Sequence, residues 1–277
     1  MARDLSKPTP TVRFTDVRTL KRLFELIDSV PGDVLYLTHV TPADAVEIDR
    51  ERERCRRKFR FCRYYPDHQL LILVLPTYLH EALHLNFDYD AFHHQLFQLG
   101  LRRDWFSTGW ATYPDYTLEA SGRQSYGEGD STGRSSSRLG PNGWPCLVIE
   151  GGHSQSLDQL HADLGWWFSA SNHEVKIVVL LKFDRRQDLI IVEEVPDRPG
   201  AMTRSRAAQL RPVCRQSITI SRDGTTDPVS YHVTGAPLVY DFRLLFLRDP
   251  GPGQGDITVG VKDLQMWASK VWSAVHD

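Results

Sequence analysis

The sequence predicts a mixed α/β fold, a central mixed sheet flanked by helices, with an N-terminal helix and hairpin and a β-rich C-terminal extension ending in a helix. Three stretches carry that expectation. The first spans residues 144–183: WPCLVIEGG, then SQSLDQLHADLGWWFSAS, then VKIVVLLKF. It reads as an apolar strand, an amphipathic helix and a second apolar strand. Such a unit makes a right-handed crossover between parallel strands. A continuously apolar strand such as 175–183 is one covered on both faces. The second stretch is KFRFCRYY and QLLILVLP (58–76), two β-rich runs around Pro66-Asp67-His68, which predict a hairpin. The third is the stripe Leu79, Leu83, Phe92, Leu96 and Leu99, which predicts one long helix over 77–99.

The remaining elements follow in order. Residues 1–14, with two prolines, read as a loose arm. Thr15 caps a helix whose Leu20, Leu23, Phe24 and Ile27 share one face, and Pro31-Gly32 stop it. DVLYLTHV (33–40) reads as a strand. Thr41-Pro42 open a helix, with Pro42 in the first turn, where its missing N–H costs nothing. WFSTGWATY (105–113) reads as a strand, and 114–144, rich in Gly, Ser and Pro, as a loop around Asp130. Strands are expected at 188–195 and 237–247, and a hairpin at 217–233 turning near Asp223-Gly224. GPGQG (251–255) reads as a linker. The last helix, 261–275, turns Val261, Leu264, Trp267, Val271 and Trp272 inward. The expected organisation is an N-terminal arm and helix (1–33), a core domain (34–195) and an extension packed on that core (196–277).

Composition narrows the class. Hydrophobic content of 41% and charged content of 25% are those of an ordinary globular chain of 277 residues. The net charge of −2 leaves no global field to recruit nucleic acid, so any basic footprint must be local. No apolar run reaches the roughly 18 residues of a membrane span, and MARDLSKPTPTVRF lacks the apolar stretch of a signal peptide. Cys55, Cys62, Cys146 and Cys214 form no CxxC pair. Free thiols in a reducing compartment are expected, hence an intracellular protein, cytoplasmic or nuclear.

Two acids stand out. Glu150 follows the apolar run Leu147, Val148, Ile149 and precedes two glycines, and Asp130 sits in the turn GEGDSTG. A carboxylate at the end of a buried strand is costly unless a metal ion or a cationic group pairs with it. The segment RERERCRRKFRFCR (50–63) holds eight basic residues against two glutamates. Arg52, Arg56, Arg57, Lys58 and Arg60 are its candidates for phosphate contacts. The competing reading is a solvated helix end whose arginines pair with nearby acids. His80, Glu81 and His84 in HEALH match the HExxH pattern of zinc metallopeptidases. Metzincins would need Gly at 87 and His at 90, where this chain has Phe87 and Asp90. The plainer reading is polar residues in the first turn of a helix, with Glu81 favoured there by the dipole.

The order long helix, strand, Asp-bearing segment, Glu-bearing strand, amphipathic helix, apolar strand resembles the core of the PD-(D/E)XK nuclease superfamily, the restriction-endonuclease-like fold. GEGDSTG, WPCLVIEGGHSQSL and WWFSASNHEVKIVVLLKFD are similar to a group of fungal proteins with a nuclease-like domain of this type. The resemblance covers roughly 34–195. It implies that Asp130 and Glu150, with Glu81 from the first helix, hold Mg2+ or Mn2+, which polarises a phosphodiester of DNA or RNA and activates water. It implies Gln159 or Gln155 as the residue orienting that water, and dimers are common among such nucleases. The chain departs from the pattern at one point. The lysine two residues after the second acid is Gly152, and the following helix offers Gln155, Gln159 and His161 in its place. Glu174-Val175-Lys176 reads as surface charge. Without the lysine, transition-state charge is less well stabilised. Three functions are therefore expected in competition: a metal-dependent nuclease, a non-catalytic nuclease-fold module that binds nucleic acid or protein, and a zinc peptidase through His80, Glu81 and His84.

Overall fold

The computed structural model describes residues 11–14, 25, 32–54, 56, 59–109, 111–114, 125–138, 140, 143–197 and 213–275. The first elements are β1 Thr11–Arg13, β2 Val34–Thr38, α1 Pro42–Arg54, β3 Arg60–Tyr65, β4 Leu70–Val74 and α2 Tyr78–Asn86. A π-type turn, Phe87–His93, carries α2 into α3 His94–Gln98. Next come β5 Trp105–Ser107, β6 Thr112–Pro114, β7 Tyr126–Glu128, β8 Ser131–Ser135, β9 Leu147–Gly152, α4 Leu157–Ala170, β10 Ile177–Asp184 and β11 Leu189–Pro196. The C-terminal part adds β12 Gln216–Asp223, β13 Ser230–Thr234, β14 Leu238–Tyr240, α5 Phe242–Phe246, β15 Ile257–Val259 and α6 Val261–Ser273.

Two large sheets organise these elements. The seven-stranded sheet runs β13-β12-β11-β10-β9-β8-β5. β9 and β10 are parallel, Leu147 opposite Ile177, while the other neighbours pair antiparallel. The parallel pair is the one α4 connects, as the strand–helix–strand reading requires. Alternate residues of β9 and β10 face opposite layers. Val148, Val178 and Leu180 pack under Leu160, Leu164 and Trp167 of α4. Leu147, Ile149, Ile177, Val179 and Leu181 pack under Leu83, Phe87, Phe92 and Trp267 from α2, the π-type turn and α6. Helices thus cover both faces of a mixed sheet, the arrangement expected of a restriction-endonuclease-like core. The six-stranded sheet runs β1-β2-β4-β3-β7-β6, with Ala45 and Ile48 of α1 packed on Leu35, Leu37, Leu71 and Leu73. No helix of the described residues is long and apolar enough to cross a membrane.

Several elements differ from the sequence expectation, each for a local reason. The arm at 11–13 is a strand, parallel to β2. The stretch 105–113 splits into β5 and β6, which belong to different sheets, around Gly109 at φ 56°. The loop 114–144 contains β7 and β8. The long helix is interrupted by the π-type turn. The stretch 237–247 is a strand only to Tyr240, because the Asp241 carboxylate accepts the amides of Arg243 and Leu244 and starts α5. Between the linker at 251–255 and the last helix lies β15, paired with β14. The helix expected after Thr15, with Leu20, Leu23, Phe24 and Ile27, lies outside the described residues apart from Glu25, as do Cys55, Arg57, Lys58 and 198–212.

α4 begins with a reciprocal cap. The Ser156 hydroxyl accepts the Gln159 amide at 3.2 Å, and the Gln159 side chain accepts the Ser156 amide at 2.8 Å. Ser156→Ala is expected to destabilise the protein by about 1 kcal/mol. Urea midpoints measure this, and an unchanged midpoint would show that the cap adds nothing to α4.

Candidate functional site

The two sheets meet at a buried cluster of charge. Asp130, in the turn between β7 and β8, is 3% exposed, and Glu150, in β9, is 4% exposed. The Asp130 amide donates to Glu150 Oε2 at 3.4 Å, so the two acids converge. Each faces an arginine of β3. Arg60 Nη2 lies 2.5 Å from Asp130 Oδ1, and Arg63 Nη2 lies 3.0 Å from Glu150 Oε1. Both guanidiniums are fully buried. Residues three apart on a regular strand point to opposite faces. A register irregularity between Phe61 and Arg63 turns β3 so that both arginines reach the acids. Gly127 clears the path, since a Cβ there would stand 2.5 Å from Arg63 Nη1.

The remaining contacts complete the enclosure. The Gly151 amide donates to Asp130 Oδ2 at 2.6 Å, and Trp167 Nε1 donates to Glu150 Oε1 at 2.6 Å. The Arg63 guanidinium lies over the rings of both Trp166 and Trp167, 4.4 and 4.5 Å from their centroids. His80, from the first turn of α2, joins Asp130 to Asp33. Its Nδ1 lies 3.0 Å from Asp33 Oδ2 and its Nε2 lies 3.3 Å from Asp130 Oδ2. Asp33, fully buried, also accepts the amides of His153 and Ser154 and the Ser154 hydroxyl.

Protonation follows from these neighbours. Burial alone would raise Asp130, but Arg60 and His80 hold it well below the ordinary carboxylate range. Burial also works to raise Asp33, and His153 and His80 overcome it and lower it. Glu150 is pushed up to about 7, first by burial and then by the charge of Asp130. Burial lowers the basicity of His80, yet Asp130 and Asp33 outweigh burial and push it up to about 9. The contact with Arg60 argues the other way, because Nη2 lies 2.6 Å from His80 Nε2. Two N–H donors cannot face each other at that distance, and the guanidinium is always protonated, so we assign His80 as neutral, with Nδ1–H donating to Asp33. Asp33, Asp130, Asp163 and Glu150 then share this interior with two guanidiniums, and burial raises both Asp163 and Glu150.

The other sequence candidates have partners of their own. Glu81 bonds His84 Nε2 at 3.3 Å, and its carboxylate lies within 4.8 Å of a ring nitrogen of His80, which itself contacts Asp130. Gln159 is used in the α4 cap. Gln155, buried, donates to Asp163 Oδ2 at 3.4 Å. Arg60 is buried against Asp130 and is not a surface phosphate contact. Arg52 forms two bonds to the buried Glu128 carboxylate, at 2.9 and 3.0 Å, and is likewise taken. Arg50 and Arg54 pair with Glu47 and Glu51 along α1. Arg56 is exposed, while Arg57 and Lys58 lie outside the described residues. Lys176 donates to the His173 carbonyl at the surface. The sequence reading missed Arg60 and Arg63 as partners of the acids. The signal was there: each lies among aromatic and apolar strand residues, Phe59, Phe61, Cys62 and Tyr64, where a charge is buried.

Neither metal fits as the side chains stand. Mg2+ needs carboxylate oxygens open to an octahedron of oxygen ligands, and here each acid already holds a guanidinium and a further N–H donor. His80, Glu81 and His84 offer ligand atoms within 4.8 Å of one another. A catalytic zinc needs free imidazole lone pairs and an open fourth position. Both nitrogens of His80 are engaged, His84 bonds Ser131 and Glu81, and both rings are fully buried.

The fold is a mixed α/β architecture whose buried acid pair is bonded to arginine. No known family profile matches the chain, and no curated protein matches it. Among similar solved structures is a protein described as a "putative nuclease belonging to DUF820" from Anabaena variabilis ATCC 29413. It shares 15% identity at a TM-score of 0.39, over 74% of this chain and 89% of that one. At that level the likeness says nothing about chemistry.

Proposed function

We propose that the chain is a non-hydrolytic protein of nuclease-like fold, which acts by binding nucleic acid or protein and uses Asp130 and Glu150 to hold its two sheets together. One observation carries this reading: both acids are buried and each is bonded to a fully buried arginine. A phosphodiester would have to enter a space filled by Arg60, Arg63, Trp166 and Trp167. Breaking such pairs leaves uncompensated buried charge, which is strongly unfavourable. The absent lysine at Gly152 agrees. A second reading, a nuclease dependent on Mg2+ or Mn2+, is favoured by the convergence of the two acids at the Asp130 amide.

An activity assay separates the two. Purified full chain is incubated with supercoiled plasmid, single-stranded DNA and RNA, with Mg2+ or Mn2+, beside Glu150→Gln. The expected result is no metal-dependent cleavage by either protein. Cleavage that requires the metal and disappears in the variant would establish the nuclease and overturn the binding reading.

A further inference from the structure

Residues of the π-type turn, α3, β5 and α6 enclose a pocket of about 470 Å3, which shares no residue with the acid–arginine cluster. That volume suits a small organic ligand. Asp88, His93 and Ser107 line it with polar groups, and Tyr89, Phe97 and Trp105 line it with aromatic rings.

Asp88 is the unusual member. Its side chain is 19% exposed, and among the described residues no donor hydrogen-bonds its carboxyl. His93 Nε2 stands 3.6 Å away, beyond that reach, and is satisfied by Ser107 Oγ at 3.0 Å. The surrounding charges do not relieve Asp88. Lys270 is taken by Asp90, the other acid of the lining, at 2.6 Å. Arg102 acts on His93, whereas burial is the sole cause of the raised pKa of Asp88. A carboxylate held this way is destabilised until a cation joins it.

The walls suit such a cation. Tyr89 and Phe97 are 75% and 67% exposed, and Trp105 is buried. Aromatic faces attract an ammonium through the ring quadrupole and cover the apolar stem that carries it. An –NH3+ group has three donors, and Asp88 and the Ser107 hydroxyl are acceptors on one side of the pocket. We propose that this pocket binds a primary ammonium group on an apolar stem, with Asp88 as its counter-ion and Tyr89, Phe97 and Trp105 around the stem. The site stands apart from the question of cleavage, because it uses none of the residues on which that question turns.

The experiment is calorimetric titration of the full chain at pH 7.5 with benzylamine and with benzyl alcohol, which has the same ring and no charge. Both titrations are repeated on Asp88→Asn and on Tyr89→Ala/Phe97→Ala. Benzylamine is expected to bind on the order of tenfold more tightly than benzyl alcohol. Asp88→Asn is expected to weaken benzylamine on the order of tenfold, and the double variant, on exposed side chains, several-fold. Should Asp88→Asn fail to fold, the double variant decides. Butylamine beside Nα-acetyl-lysine methylamide identifies the source: tighter binding of the lysine derivative points to a lysine side chain of a polypeptide, equal or weaker binding to a free amine. Absence of benzylamine binding at millimolar concentration, equal binding of benzyl alcohol, or variants as good as the wild type would overturn the proposal.

Discussion

Arg60→Ala is expected to lower folding stability by about 3–5 kcal/mol near neutral pH, the usual cost of removing one partner of a buried ion pair. Asp130 would be left at 3% exposure without its guanidinium. His80 limits the damage. Its Nε2, 3.3 Å from Asp130 Oδ2, loses the Arg60 contact and becomes free to take a proton and donate to the carboxylate. The deficit should therefore be smallest at pH 6 and grow as pH rises and that proton leaves. Urea denaturation across pH measures both effects. The double variant Arg60→Met/Asp130→Leu should recover much of the loss, since an apolar pair leaves no charge to solvate. A deficit under about 1 kcal/mol in Arg60→Ala would show that the acid does not depend on this arginine.

The second large effect concerns Asp88, in the π-type turn. Burial pushes its carboxyl up to about 7 from an ordinary 3.8. Its neighbours offer little relief. His93 Nε2 is 3.6 Å away, and its own pKa is lowered by burial and by Arg102. Tyr240, buried near Asp88, is uncharged at these pH values. The folded state keeps a proton that the unfolded chain releases above 3.8. Stability from Asp88 is thus fully present below that value and is lost as pH rises through about 7. Glu150, raised from 4.5 to about 7, acts in the same direction. Asp33 and Asp130, held low, lose their stabilisation only in acid, as pH falls below about 3.8. Asp88 and Glu150 together lower stability as pH rises from 5 to about 7, while His84, His93 and His153, held below 6.5 mainly by burial, act in the opposite direction. Asp88→Asn should remove a share of that loss on the order of 2–4 kcal/mol, with little change at pH 4. Thermal melts of both proteins across this range test it. Parallel curves would mean that Asp88 ionises normally in the fold.

What the sequence revealed, and what it concealed, follows the distance over which each feature is determined. β9, α4 and β10 are legible because apolar runs, helical spacing and the Ser156 cap are local. α5 was concealed because one capping side chain, Asp241, decides where β14 stops. β5 and β6 read as one strand because their assignment to separate sheets depends on partners 26 and 16 residues away, Gly133 opposite Ser107 and Glu128 opposite Thr112. Asp130 and Glu150 were visible as acids needing partners. Their partners were not, because Arg60 and Arg63 come from 70 and 87 residues earlier, through an irregularity in β3 that no residue pattern announces.

The arginines of β3 also change what kind of counter-charge the core possesses. A bound ion is a solute: its occupancy follows its concentration, and protein stability follows its occupancy. A guanidinium is part of the chain, present in every molecule and indifferent to chelators or to the ionic conditions of the cell. Here the counter-charges facing Asp130 and Glu150 are written into the polypeptide. Assembly of the two sheets needs no outside supply, and it surrenders the ability to sense one.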